Sequence, residues 1–119
     1  MFDHIGLRVA NLEVSKRFYA AALEPLGARV TYEDAATIGF GTDAATPFWL
    51  VRSDTPGAAH VAFSALERGA VDLFHKAALR AGGRDSGSPG LRPDYGPHYY
   101  AAFVVDPDGH NIEALTNAE

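Results

Sequence analysis

The chain has 119 residues, enough to bury a core in one domain and too few for a catalytic domain plus a separate regulatory one. Hydrophobic residues make up 47% and charged residues 21%, a globular balance that excludes a chain dependent on a partner for folding. A net charge of -5 without any basic cluster excludes nucleic acid and anionic membrane as partners, and the absence of cysteine leaves His, Asp and Glu as the strong metal ligands.

At the start, Met1-Phe2-Asp3-His4 offers neither a basic nor an apolar leader, and no apolar run reaches membrane-spanning length; the expectation is a cytoplasmic protein. Ile5, Leu7 and Val9 then alternate as one face of a strand. Asn11 is the expected cap of a helix whose Val14, Phe18, Ala21 or Ala22, and Leu26 recur at helical spacing, with Gly27 as its stop. Short strand-like runs follow over 27–32, 36–40 and 47–52. Pro56 and Gly57 mark 54–58 as a linker between a first module, 1–53, and a second, 59–119. The second opens on the alternating His60-Val61-Ala62-Phe63, and Leu66 and Glu67 lead into a helix carrying Val71, Phe74, Ala78 and Leu79 that stops at Gly82-Gly83. The Gly, Ser and Pro-rich 87–94 reads as a loop. Two last strands, over 99–105 and 110–115, are joined by Asp106-Pro107-Asp108-Gly109, a hairpin signal.

The two modules are copies of one pattern. Sliding the chain so that His4 falls on His60 also brings Phe18 onto Phe74, Ala22 onto Ala78, Leu23 onto Leu79 and Gly27 onto Gly83. Allowing for 87–94 as an insert, the last strands superpose as well, with Trp49 on Glu113.

Side chains alternate across a strand, so ligands must be sorted by face. Ile5, Leu7 and Val9 leave His4, Gly6 and Arg8 opposite; Val61 and Phe63 leave His60, Ala62 and Ser64; Ile112 and Ala114 leave Asn111 and Glu113. His4, His60 and Glu113 therefore each stand on the face away from the helices, at related places in the repeat. Two histidines and one carboxylate form a facial triad that holds a divalent first-row ion and leaves positions open. Taken singly, each also reads as half-buried strand histidine or solvated edge carboxylate.

On these residues the chain resembles the vicinal oxygen chelate superfamily, which includes glyoxalase I, bleomycin resistance proteins, extradiol dioxygenases and fosfomycin-modifying transferases. The likeness covers the opening Asp3-His4-Ile5-Gly6-Leu7-Arg8-Val9, Ser15-Lys16-Arg17-Phe18-Tyr19, His60-Val61-Ala62-Phe63, and the closing run from Ala102 to Glu113. It implies an α+β fold of two βαβββ modules forming a curled mixed-sheet cup with helices outside. It also implies a homodimer, and a divalent ion (Zn, Ni, Mn, Fe or Co) held by His4, His60 and Glu113. Trp49 stands where glyoxalase I carries a fourth ligand, a glutamate, and Phe103 where the transferases and dioxygenases carry a tyrosine. The implied activity is that of a glyoxalase-like metal-dependent enzyme acting on a small oxygen-bearing anionic substrate. Glu113 would serve as ligand and general base, Arg8 as the carboxylate anchor, and Trp49, Tyr99 and Phe103 as walls. The alternatives are a metal-free drug- or metabolite-binding module of the bleomycin resistance type, or a dioxygenase or transferase of the same superfamily.

Other signals carry less. Asp106 and Asp108 open like a calcium loop, but the glycine comes too early. Gly39-Phe40-Gly41 lacks the third glycine of a dinucleotide fingerprint. His75 and His110 read as surface or half-buried residues, and His98 lies beside a loop near the cup.

Overall fold

The computed structural model describes residues 1–119. The elements run β1 (Ile5–Val9), α1 (Leu12–Leu23), a 3-10 turn (Glu24–Leu26), β2 (Arg29–Glu33), β3 (Thr37–Gly41) and β4 (Phe48–Arg52), then β5 (His60–Ser64), α2 (Arg68–Arg80), β6 (Arg84–Leu91), β7 (Tyr100–Val105) and β8 (Asn111–Thr116). Each βαβββ set closes its own four-stranded sheet, in the orders β1-β4-β3-β2 and β5-β8-β7-β6. The first strand of each module pairs parallel with the last, and the other pairings are antiparallel. The registers carry the repeat through: Trp49 stands opposite Gly6, as Glu113 stands opposite Ala62.

The helix boundaries follow the local chemistry. The Asn11 side-chain oxygen accepts the Val14 N–H at 3.1 Å, a cap that contributes about 0.5–2 kcal/mol. Beyond α1 and its 3-10 turn, Gly27 takes φ +89° and closes the end with its N–H on the Glu24 carbonyl. Gly82 takes φ +101° after α2. Both conformations are strained for any residue with a Cβ.

One cluster of 17 buried residues runs through both modules. Phe18 and Phe74, equivalent in the repeat, are both fully buried, and each contributes on the order of 1.5–3 kcal/mol of transfer free energy. Because the helices pack against Leu7, Val9, Ile38, Phe40, Leu50, Val104, Ile112 and Ala114, the opposite sheet faces are left for a site.

The turn after β7 joins the modules. The Tyr19 hydroxyl donates to Asp106 Oδ2 at 2.5 Å, the Ala10 N–H donates to Asp108 Oδ1 at 2.9 Å, and the Ser15 hydroxyl donates to Asp108 Oδ2 at 3.2 Å. His110 is fully buried, not at the surface or half-buried as its place beside a turn suggested. Its Nε2 lies 3.0 Å from the Arg8 carbonyl and must carry the hydrogen, because a carbonyl only accepts. The joint between modules, which sequence alone does not show, is what draws this histidine inside.

The expected loop over 87–94 is also corrected. Residues 84–91 form β6, paired with β7 through register shifts between Asp85 and Gly87 and between Gly87 and Gly90. Glycine and proline normally punctuate strands, but at an edge they are accommodated by bulges. No helix of the chain is long and apolar enough to cross a membrane.

Candidate functional site

In the second module, strand register gathers the chemistry. His60 faces Asn111 across the β5–β8 pair, and Glu113 is flanked by Ala62 on one side and Phe103 on the other. His60, Asn111, Glu113 and Phe103 line a cavity of about 270 Å³ with Tyr95 and Tyr99, on the face away from the helices. Glu113 is only 4% exposed, which sets aside the solvated edge carboxylate. His60 Nε2 lies 3.1 Å from Glu113 Oε1, and the Tyr99 hydroxyl donates to Oε2 at 2.5 Å. Burial, and then the hydrogen bond and charge of Glu113, push the Tyr99 hydroxyl up to about 12; it keeps its proton at neutral pH.

The other His60 nitrogen decides what the first one can do. Nδ1 lies 3.0 Å from the Asn111 carbonyl, so Nδ1 carries the hydrogen and Nε2 of the neutral ring presents a lone pair. That lone pair and a carboxylate oxygen then converge on one point, which only a proton or a cation can fill. A histidine donating its far nitrogen to a backbone carbonyl is the usual support of a metal-ligating imidazole. Asn111 Oδ1, at the same cavity, is buried with no partner. The residues present therefore fit a cation.

The first module carries a larger cavity of about 600 Å³, lined by Asp3, His4, Gly6, Tyr32, Thr37, Thr46, Trp49 and Val51. Trp49 and Tyr32 meet there with ring centroids 5.3 Å apart. His4 Nδ1 is 2.7 Å from Asp3 Oδ1, both side chains being largely exposed. Trp49 thus occupies in the first sheet the place that Glu113 holds in the second, with an indole instead of a carboxylate.

Of the sequence-derived candidates, His60, Glu113, Tyr99 and Phe103 come together, and His4 and Trp49 come together at the other cavity. Within a single chain no three His, Asp or Glu side chains converge on one point. Arg8 is exposed and lines neither cavity; its guanidinium lies against linker residue Gly57, where an added Cβ would stand 2.7 Å from Nη2. Sequence reasoning missed Tyr32, Thr37 and Thr46. They enter from β2, β3 and the turn before β4, and no face rule links them to His4 before strand order is known. Asn111 was within reach, since it alternates onto the Glu113 face.

The sequence profile described as the Glyoxalase/Bleomycin resistance protein/Dioxygenase superfamily matches residues 1–114. The chain belongs to this superfamily. A glyoxalase/bleomycin resistance protein from Albidiferax ferrireducens is 32% identical, with 97% of this chain and 98% of that one covered and a TM-score of 0.85. A glyoxalase I variant from Zea mays is 26% identical over 96% of this chain and 45% of its own, with a TM-score of 0.72. A glyoxalase-related enzyme from Fulvimarina pelagi, 22% identical and covered over 97% and 86%, shares the fold at a TM-score of 0.71. No curated protein sequence matches the chain. The superfamily includes enzymes such as glyoxalase I, and its members often use divalent metals.

Proposed function

We propose that this superfamily member is a metal-dependent enzyme acting on a small, oxygen-bearing, anionic substrate by proton transfer. The observation that carries the reading is the facing pair at 3.1 Å, His60 Nε2 and Glu113 Oε1, with each partner fixed from behind by Asn111 or Tyr99. An imidazole nitrogen and a carboxylate oxygen suit Zn, Ni, Mn, Fe or Co. His4, the repeat equivalent of His60, supplies the third ligand when the first-module cavity of one protomer meets the second-module cavity of its partner. The reading therefore includes a homodimer.

When bound, the ion supplies Lewis acidity toward a substrate oxygen. The chain's own residues do the rest. Glu113, in a buried setting that strengthens its interactions, takes a proton from the substrate and returns it. Tyr99 donates to Oε2 and so aims Oε1. Phe103, Tyr99 and Trp49 form apolar walls that exclude water. With Trp49 in place of a fourth ligand, isomerisation of the methylglyoxal–glutathione adduct should be slow or absent.

Elemental analysis of protein purified without added metal tests the reading, with bound divalent metal expected and His60→Ala expected to abolish it while the protein stays folded. Unchanged calorimetric metal affinity in His60→Ala would sink the ligand set. Hemithioacetal turnover in the ordinary enzymatic range of about 1–1000 per second would overturn the argument from Trp49. A second reading, a metal-free module of the bleomycin resistance type, is favoured by the Tyr32–Trp49 pair lining the larger cavity. Protein free of metal whose Trp49 fluorescence is quenched by planar apolar ligands would support it.

A further inference from the structure

The insert that distinguishes the second module from the first builds something. Gly87 and Gly90 lie on β6, which is the edge strand beside β7. Each leaves open the space a Cβ would fill: an added Cβ at Gly87 would stand 3.2 Å from Arg92 Nη2 and 2.8 Å from the Phe103 ring, and at Gly90 3.4 Å from Arg92 Nη1. The guanidinium occupies that bed. Its Nη2 donates to the Ser88 carbonyl at 2.7 Å, and its central carbon lies 5.5 Å from the Phe103 centroid. Like most of the chain's cations Arg92 has no carboxylate partner, but it is held in place by the Ser88 carbonyl and the Phe103 ring.

Strand order then sets direction. Across the sheet β5, β8, β7 and β6 carry His60, Glu113, Phe103 and the Arg92 bed in that sequence. The His60 and Phe103 rings are near parallel, 24° apart in tilt and 6.3 Å between centroids. An imidazole and carboxylate, an aromatic floor and a fixed guanidinium thus stand in one row. Tyr95 and Tyr99, edge to face at 5.3 Å, flank it.

We infer that Arg92 is a substrate-binding residue, and that the second-module site takes a ligand with an aromatic or other planar body bearing a carboxylate at the end remote from His60 and Glu113. This rests on the reading of that cavity as the binding site, but not on any metal. Guanidinium suits the acid because its free N–H groups form charge-assisted, paired hydrogen bonds. Immobilising it on glycine and phenylalanine beforehand reduces the ordering cost on binding. The chemistry requires no residue from the first module.

The test titrates chelator-treated protein with benzoate and, separately, with the isosteric neutral benzamide, following amide resonances by NMR. Benzoate should bind saturably in the millimolar range and shift signals from Tyr99, Phe103 and Arg92. Arg92→Met, which keeps the aliphatic stem, should weaken benzoate about tenfold or more and leave benzamide unchanged; Arg92→Lys should recover part of the loss. A purely structural arginine would lower the melting temperature and weaken both probes alike, which overturns the assignment. So does benzoate affinity within twofold of wild type in Arg92→Met, or no saturable benzoate binding by the wild type. Metal stoichiometry measured on the same protein as purified, before chelator treatment and without added metal, separates the two readings. Arg92-dependent benzoate binding by a protein that holds no metal leaves the anion site standing and removes the metal, whereas normal metal binding with Arg92-independent benzoate does the reverse.

Discussion

Individual side chains here work through partners that fix their hydrogens. The Asn111 carbonyl selects which His60 nitrogen faces Glu113, and Tyr99 holds the carboxylate from the other side. Away from the site, Tyr19 and Asp106 do the same for the fold. Burial, and then the charge and hydrogen bond of Asp106, push the Tyr19 hydroxyl far up, so it remains a donor at neutral pH. Tyr19→Phe leaves a buried carboxylate oxygen short of a donor and should cost about 1–3 kcal/mol, read as a lower midpoint in urea with an unchanged slope. A value near zero would mean that water replaces the hydroxyl. At the surface, Asp34 is held down to about 2, first by the Tyr32 hydroxyl and then by the Ala36 N–H and the Thr37 hydroxyl and N–H. A carboxyl lowered by folding stabilises the native state above its unfolded pKa, and that stability is lost as pH falls through the folded value. Asp34→Ala should therefore melt below wild type at pH 6, with the gap narrowing between about pH 4 and pH 2. A gap that persists at pH 1.5 would assign the effect to turn geometry instead of charge.

At the scale of elements, alternation decides what each strand offers, and small residues decide how closely strands and rings approach. Trp49 on β4 lies across Gly39 on β3, where an added Cβ would stand 2.9 Å from indole Cζ3 and 2.5 Å from Thr46 Cγ2. Gly39→Ala must displace the indole or the turn that bears Thr46. Trp49 is the only tryptophan, so its emission reports this directly: a shifted wavelength and a melting point lower by several degrees are expected, since overpacking typically costs about 1–3 kcal/mol. Wild-type emission would show that Thr46 alone yields. The same alternation placed His60 with Glu113 and Arg8 with His4, but it gave no warning about β6. Glycine, serine and proline over 87–94 read as a loop because the reading is local, whereas the bulged edge strand is maintained by pairing with β7.

At the scale of the whole molecule, the two sheets share one core and each lines its own cavity. If the ion is completed between chains, as proposed, His4→Ala and Glu113→Ala each lose it for different reasons. In a two-fold dimer, mixing them to random exchange yields heterodimers with one intact site, and roughly one ion per four chains should return. No recovery after confirmed subunit exchange would mean that His4 is not a ligand across the interface. Much of this was written in the sequence. Period-two and helical spacing named the strands and helices, the repeat set Trp49 against Glu113, and face sorting picked out His60 and Glu113, because these are properties of adjacent residues and a fixed chain geometry. Only the tertiary structure decided that His110 is buried on Arg8, that Tyr99 reaches Glu113, that Arg8 turns to Gly57 instead of either cavity, and that no three His, Asp or Glu side chains converge within one chain. Those outcomes depend on strand order, bulges and the joint between modules, which bring together residues far apart in sequence and leave no periodic trace in it.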